Sequence, residues 1–595
     1  MIKDSGATDP DATEGDTTSE AEIRARRGID EILARWGIPA ITCIAVLAGT
    51  ILRFWPRSSL WLDEALSVNI AALPLGDLTE ALRHDGHPPL YYLLLHVWMK
   101  VFGDSDWAVR ALSGVISLAS LPLAYLAGLR MARRSTAELS NPRRVALIAV
   151  AVTATMPFAV RYGAEARMYS LVMVLVLCGY LVVDTLLAVP TTPRLVLPTV
   201  CGAFVTALLL WTHYWSMWLL GAVGILALVT LWSRRDGMSD RQVVAGPIAM
   251  IISLVVGGLL YLPWVPTMAY QASHTGTPWG ESFGPVSVLV LSLVDFAGAR
   301  FGVAQFFSYI LVVFIVCGAT VVCRRVTDDP VADGEGAPAE ASSPPVESEV
   351  TASSGRLAPE VALVVSPGIH PRVRVELGVL LGTLGLGWAA AAASGNTFSS
   401  RYASVVFPLF VLVVTAGIAV LRSPRVAAAS LVAVCLMGLL GAYGATESDR
   451  TQAGAIVDAI AADISAHPGP AAVVSCPDQL GVSLQREVSK RAELADVTGD
   501  VIPYPTAGDP RFVDWVDYGS RNSKVDATEF IEKVRRRVGS SASIYLVASP
   551  HYKTFEGQCE NLTALFAQGG QAEQLVAQDT SGLDESASLT VIRPG

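Results

Sequence analysis

The sequence predicts a polytopic α-helical membrane protein with a small α/β domain at its C-terminal end. Three observations predict it. Of 595 residues, 52% are hydrophobic and only 16% charged, against about 25% charged in an ordinary soluble domain. Apolar runs of roughly 18 residues or more recur along the chain, each long enough to cross a bilayer. After residue 443 the pattern changes to short helical and strand-like stretches in alternation.

The start, "MIKDSGATDPDATEGDTTSEAE", is acidic and polar. It reads as a disordered tail (1–35) and not as a cleavable signal peptide. Eleven spans follow, at 36–54, 107–130, 144–161, 168–188, 194–212, 215–233, 243–263, 304–323, 375–393, 402–421 and 425–443. Alternate connections carry Arg24, Arg26, Arg27 and Arg35; Arg130, Arg133, Arg134, Arg143 and Arg144; Arg234, Arg235 and Arg241; Arg324 and Arg325; Arg422 and Arg425. The intervening connections hold few basic residues. By the positive-inside rule the N-terminus is cytoplasmic and residues 444–595 are extracytoplasmic, the setting of a multi-pass protein of a bacterial plasma membrane. The net charge of −10 reflects acids gathered at the N-terminus, in one loop and in the tail, and nothing resembles a nucleic-acid interface.

The core is thus divided into 36–325, with a long outer loop at 55–106, and 374–443. Between them "DDPVADGEGAPAEASSPPVESEV" marks a disordered cytoplasmic linker over 326–373. In 444–595, "AGAIVDAIAADISAH", "EFIEKVRRRV" and "ENLTALFAQG" read as helices, and "AAVVSC" and "SIYLVAS" as buried strands. The alternation suggests a parallel sheet. Neither a GxGxxG loop nor a Walker motif is present, so nucleotide binding is not expected. Six of the eight cysteines lie in or beside apolar runs. Cys476 and Cys559 fall in the extracytoplasmic domain, where a disulfide between them is plausible.

The informative polar residues converge on the outer connections. The first holds Asp63, Glu64, His84, Asp85 and His87, then "HPPLYYLLLH" with Tyr91; the next is "RYGAEARMYS" (161–170), with Glu165, Arg167 and Tyr169; then "THYW" with His213; and later "SSRYASVVFP" with Arg401 and Tyr402. Ionisable groups at span ends are costly unless paired, which makes them functional candidates. Bland readings stand beside this one. Asp63 and Glu64 fit the first turn of a helix, where acids complement the dipole. Arg161 and Glu165 could be a plain i, i+4 pair. Tyr162, Glu165 and Tyr169 would share a helical face that lines a groove or merely packs. Interfacial tyrosines are commonly belt residues. His84 and His87, at i, i+3 around Asp85, are candidate ligands for a divalent metal, with no metal assigned.

"WLDEA", "GHPPLYYLLLHVW", "YGAEARMYSL" and "SSRYASVVFPLF", in that order, resemble the GT-C glycosyltransferases, in the branch related to bacterial protein O-mannosyltransferases and aminoarabinose transferases. The resemblance covers roughly residues 36–443. It implies a GT-C fold and an inverting transferase that moves a sugar from a polyprenyl-phosphate donor to an acceptor on the outer face. It also implies that Asp63 is the general base with Glu64 as its neighbour, that Glu165 and Arg167 belong to the second-loop motif, and that Arg401 and Tyr402 lie near the lipid-phosphate pocket. In the mechanism these residues suggest, Glu64 and Glu165 assist the base, and Arg167 and Arg401 hold the donor phosphate with Tyr402 and His213 as helpers. His87, Tyr91 and Tyr169 would line the substrate, and 444–595 would be accessory. Mannose is the first expected sugar and arabinofuranose the second; the acceptor would be a cell-envelope glycan, a glycolipid or a protein. The aromatic, polar stretch "YPTAGDPRFVDWVDYG" (504–519) is a candidate acceptor surface. A transporter or flippase, a binding protein for lipid-linked glycans, and a ligase of glycan blocks are the rival readings. The chemistry agrees with the transferase. An acceptor hydroxyl must lose a proton, which a carboxylate can take, and a departing phosphate gains charge that a guanidinium stabilises.

Overall fold

The computed structural model describes residues 31–134, 141–188, 194–234, 241–276, 283–298, 303–325, 363–367, 373–394, 398–421, 423–549, 555 and 557–595. Most of the expected tail and linker, 1–30, 326–362 and 368–372, lies outside them. At the edges of that linker, β1 (Val321–Arg325) and β2 (Leu363–Pro367) pair antiparallel.

Every predicted span is helical, yet not every helix meets the length of a crossing. Among the described residues seven helices are long and apolar enough, from Arg35–Arg53 to Pro424–Glu447. An eighth candidate, the expected span 144–161, is two helices, Pro142–Thr155 and Pro157–Gly163, bent by 58°. Pro157 explains the break, because its ring removes a donor and crowds the preceding turn. The remaining runs form the shorter helices Val196–Thr212, Val303–Thr320 and Phe407–Ala419. Phe407–Ala419 has 13 residues and rises about 20 Å, short of the ~30 Å hydrocarbon core. Among the described residues, length and composition alone thus qualify seven of the eleven expected spans as crossings, or eight with the bent pair.

Small residues let the helices approach closely. A Cβ on Gly49 would lie 2.0 Å from the carbonyl oxygen of Ala154. There the helix Ile38–Arg53 packs against Pro142–Thr155, and Arg53 Nη1 donates to that same carbonyl at 2.7 Å. Arg53 is buried without an acid: its other donors reach Ser117 Oγ and the carbonyls of Gly49 and Thr153.

The outer loop 55–106 is not irregular. It folds into helices Leu62–Ala72, Leu75–Asp85 and Leu90–Phe102, the last two ended by Gly86 and Gly103 at positive φ. Two more short helices, Val265–His274 and Pro285–Phe296, sit at the same end of the bundle.

The C-terminal domain has five strands: β3 (Ala471–Cys476), β4 (Ile502–Pro503), β5 (Ser543–Ala548), β6 (Gly570–Val576) and β7 (Ser588–Pro594), in the order β4-β3-β5-β7-β6. The expected parallel sheet is mixed. β3 runs parallel to β4 and β5, whereas β7 runs antiparallel to β5 and to β6. β6 and β7 are joined without a helix, and so short a connection returns the chain antiparallel. One face of the sheet packs on helix Ala453–Ala466. The other face, with Val474, Cys476 and Leu546, belongs to the same core as Leu60, Ala65 and Tyr92 of the first outer connection. Bundle, outer helices and domain thus share one core. Cys476 and Cys559 are joined by a disulfide.

Gly49→Ala is expected to lower stability by about 1–3 kcal/mol, the cost of overpacking a close contact. A thermal-unfolding series in detergent, with Ala45→Gly as a cavity-forming control on the same helix, measures it.

Candidate active site

The site is built from the first turn of the Leu62–Ala72 helix. Trp61 is extended and supplies no side-chain cap. Helical geometry turns the adjacent acids to different faces. Glu64 points into the bundle and is fully buried. Its Oε1 accepts from Arg110 Nε at 2.7 Å and from the Ala166 N–H at 2.9 Å; its Oε2 accepts from Arg110 Nη2 at 2.5 Å. Arg110 also holds the carbonyls of Ser58 and Ser59. Glu64 is therefore not brought to an open site: both its oxygens are held by Arg110, and Oε1 also joins the helix to 161–170 through the Ala166 N–H.

Asp63 faces the other way, with 18% of its side chain exposed. Its Oδ2 accepts from Arg401 Nη1 at 2.5 Å and lies 3.7 Å from Arg167 Nη2. Arg167 is buried, donates from Nη1 to Ser67 Oγ at 3.0 Å, and meets His87 Nε2 at 3.0 Å through Nη2. His87 Nδ1 lies 2.8 Å from Asp85 Oδ2, which also accepts from the Tyr92 hydroxyl at 3.0 Å. A continuous chain, Asp85–His87–Arg167–Asp63–Arg401, thus links three connections of the bundle. Burial pushes the Asp63 carboxyl up, but the charges of Arg401, Arg167 and His87 outweigh it and hold the group below its usual range. Asp85 is held low against the same burial penalty, chiefly by His87.

Arg401 sits over the ring of Trp61, 5.8 Å from its centroid. Beside it Tyr402, His213, Tyr169, Trp215 and Phe398 form an aromatic wall, with His213 5.8 Å from Tyr169 and 5.5 Å from Tyr402. Burial, then the nearby cations, pushes His213 down to about 3, so its ring is neutral at pH 7. The Trp215 N–H donates to its Nδ1 at 3.2 Å, which leaves the proton on Nε2. The Tyr169 hydroxyl, Arg167 Nε and Trp61 Nε1 are buried without a protein partner.

Asp63, Arg167, Arg401, Tyr402, His213, Tyr169 and His87 are brought together. Others are not. Tyr91 turns inward, its hydroxyl 2.9 Å from Ser113 Oγ. Glu165 pairs with Arg450 at 2.5 Å and is 4.0 Å from Arg161. The expected common face of Tyr162, Glu165 and Tyr169 does not exist, because the helix ends at Gly163 and resumes at Tyr169. His84 pairs with Asp514, away from His87, and among the described residues no group of three or more His, Cys, Asp or Glu could hold a metal. The stretch 504–519 does not offer its aromatics as a free surface: Tyr504, Trp515 and Tyr518 are buried, the Trp515 N–H donates to the His84 carbonyl, and Asn69 bonds the Arg511 carbonyl.

Arg110 and Arg450 were missed in the sequence. Arg110 had a signal, a charge near the start of an apolar run. Arg450, in a polar stretch after the last run, had none.

No known family profile and no curated protein matches this sequence. Solved structures do match its fold. The chain is similar to ArnT from Cupriavidus metallidurans, in the apo state with a TM-score of 0.52 and bound to undecaprenyl phosphate with a TM-score of 0.51. In both, the identity is 11%, and the match covers 93% of this chain and 97% of ArnT. The S. cerevisiae protein O-mannosyltransferase Pmt1-Pmt2 complex bound to the sugar donor is 14% identical, with a TM-score of 0.31 over 41% of this chain and 36% of that one. ArnT is an aminoarabinose transferase of the GT-C group. This chain therefore has the GT-C fold.

The two adjacent acids are expected to differ sharply on substitution. Glu64→Ala strands the buried Arg110 charge and costs about 3–5 kcal/mol. Asp63→Asn keeps the shape and an acceptor for Arg401 at a partly open position, and is expected to cost less, about 1–3 kcal/mol. Thermal unfolding of both variants in detergent tests this.

Proposed function

We propose that the protein is an integral-membrane glycosyltransferase that moves a sugar from a polyprenyl-phosphate donor to an acceptor hydroxyl, with inversion and with Asp63 as general base. The observation that carries this reading is one carboxylate, Asp63, held by two guanidinium groups, Arg401 and Arg167, beside an aromatic wall. The sequence motifs and the GT-C fold support it. The donor phosphate binds Arg401 and Arg167, with the Nε2–H of His213 and the hydroxyls of Tyr402 and Tyr169 beside it. Arg suits this work because its fork matches phosphate oxygens and stays charged. Phosphate on the same cations competes with Asp63, loosens its ion pairs and raises its basicity. Asp63 then takes the acceptor's proton as the acceptor oxygen bonds to the anomeric carbon. The bond from that carbon to the phosphate oxygen breaks, and polyprenyl phosphate leaves with the electron pair. Charge growing on it is met by Arg401 and Arg167, which favours the transition state over the ground state.

The lipid tail would lie in an apolar groove walled by Val176, Val205, Leu209, Leu219, Leu226 and Leu409. Leu209 is one helical turn before His213, whose N–H it accepts. Glu64 and Glu165 serve by holding Arg110 and Arg450, and His87 by orienting Arg167. We further propose eleven helical segments in a bacterial plasma membrane, with the N-terminus cytoplasmic and residues 444–595 outside. Mannose is the first donor sugar to test and arabinofuranose the second, against cell-envelope glycan, glycolipid and protein acceptors.

Purified protein in nanodiscs, given radiolabelled polyprenyl-phosphate sugars and an envelope extract, tests the reaction. Asp63→Asn is expected to lower transfer by about 10²–10⁴ while donor binding persists. Normal transfer by that variant would remove Asp63 as base. Lipid binding without transfer from any donor would favour a flippase or a binding protein. Because Asp63 is held below the usual carboxylate range in the free enzyme, it is ionised throughout the neutral range. The acid limb of kcat/KM is expected below the ordinary carboxylate range, with activity lost as pH falls through the lowered Asp63 value.

A further inference from the structure

The helix that carries Asp63 is capped from outside the bundle. Its first amide, Leu62 N–H, donates to Glu585 Oε2 at 2.9 Å, a residue of the C-terminal domain. Trp61 offers no side-chain cap, and this carboxyl satisfies one of the amide donors that a helix start leaves without an intrahelical partner. Glu585 is itself tightly held. Its Oε1 accepts from Ser483 Oγ at 3.1 Å. Its backbone N–H donates to the Arg450 carbonyl at 2.9 Å, and its carbonyl accepts from the Gln452 N–H at 3.2 Å. Arg450, in turn, reaches Ser58 Oγ through its backbone N–H and Glu165 through its guanidinium. Two lines of contact therefore run from the domain to the residues flanking Asp63. One ends on the amide immediately before it, and the other on the stretch that leads to Arg167.

The geometry points to Glu585 as a positioning residue. By capping the Leu62–Ala72 helix it sets where Asp63 stands between Arg401 and Arg167, so that residues 444–595 are part of the catalytic unit and not an accessory to it. This rests on the glycosyltransferase reading above. A misplacement of about 1 Å is enough to cost a base its reach, and a helix end without its cap frays. Burial raises the Glu585 carboxyl to about 8, the Leu62 N–H and the Thr451 and Ser483 hydroxyls opposing and the charge of Asp63 adding. At pH 7 the group is thus mostly neutral, and Glu585→Gln reproduces both its shape and its charge. A glutamine Oε1 accepts from Leu62 N–H just as the carboxyl does.

The test compares the full-length wild type with Glu585→Ala and Glu585→Gln in nanodiscs. Two readouts are taken: transfer from the donor that the wild type accepts, and hydrogen–deuterium exchange over residues 60–68. Glu585→Ala is expected to speed exchange at Leu62 and to lower kcat by about 100-fold, with donor KM within about twofold. Glu585→Gln is expected to restore kcat and slow exchange. Three outcomes overturn the assignment: unchanged exchange in Glu585→Ala, faster exchange with unchanged kcat, or no rescue by Glu585→Gln in a protein that unfolds at the wild-type temperature. A wild type that transfers no sugar from any donor overturns the glycosyltransferase reading itself, whereas an active wild type indifferent to Glu585→Ala overturns only the positioning role.

Discussion

The buried pair of Glu64 and Arg110 is the constraint on which the arrangement at this end of the bundle depends. Neither charge reaches water. Burying an ion pair is costly and repays only with full hydrogen bonding. The bonding here is full on the carboxylate: two from the guanidinium and one from the Ala166 N–H. Arg110 spends further donors on the carbonyls that precede the Asp63 helix. One pair thus ties a bundle helix, the outer loop and the 161–170 connection. With Glu64 fixed inward, helical geometry turns Asp63 about 100° away from it, where Arg167 and Arg401 meet it.

The same division of labour recurs nearby. Glu165 is spent on Arg450, and Asp85 on His87 and Tyr92. Each of these acids holds a basic group in a buried setting, whereas Asp63 holds Arg401 at a partly open position. A cluster with this many ionisable groups near a bilayer would be prohibitively costly if they were unpaired. Of Glu64, Asp85, Glu165 and Asp63, the last is the most exposed. Its own cations keep it ionised, and they are also the groups best suited to a phosphate.

The C-terminal domain is continuous with this scheme. Its sheet shares a hydrophobic core with the outer helices, and its segment 504–519, which as sequence suggests a sugar-binding surface, bonds to His84 and Asn69 instead. Salt bridges from Arg486 and Lys490 to Asp106 add a further tie at the start of a bundle helix. The domain has the contacts of a structural half of the site.

Much of this was legible in the sequence. Hydropathy located each helical run of the bundle, because a segment that faces lipid must be apolar along its length. Four connections expected on one side of the bundle marked Asp63, Arg167, His213 and Arg401 as one group, because the alternation of basic residues assigns every second connection to the same side. Alternating apolar stretches located β3 and β5 for the same reason of burial. The sequence could not say which of two adjacent acids is free. That choice depends on Arg110, which comes 46 positions after Glu64, and on a backbone amide beyond it. Nor could it show that Pro157 breaks a span, that β6 and β7 reverse the sheet, or that Glu585 caps a helix 523 positions away. Composition and periodicity report how each segment meets lipid, water or core. Which polar groups then satisfy one another across the chain is decided only when those segments pack.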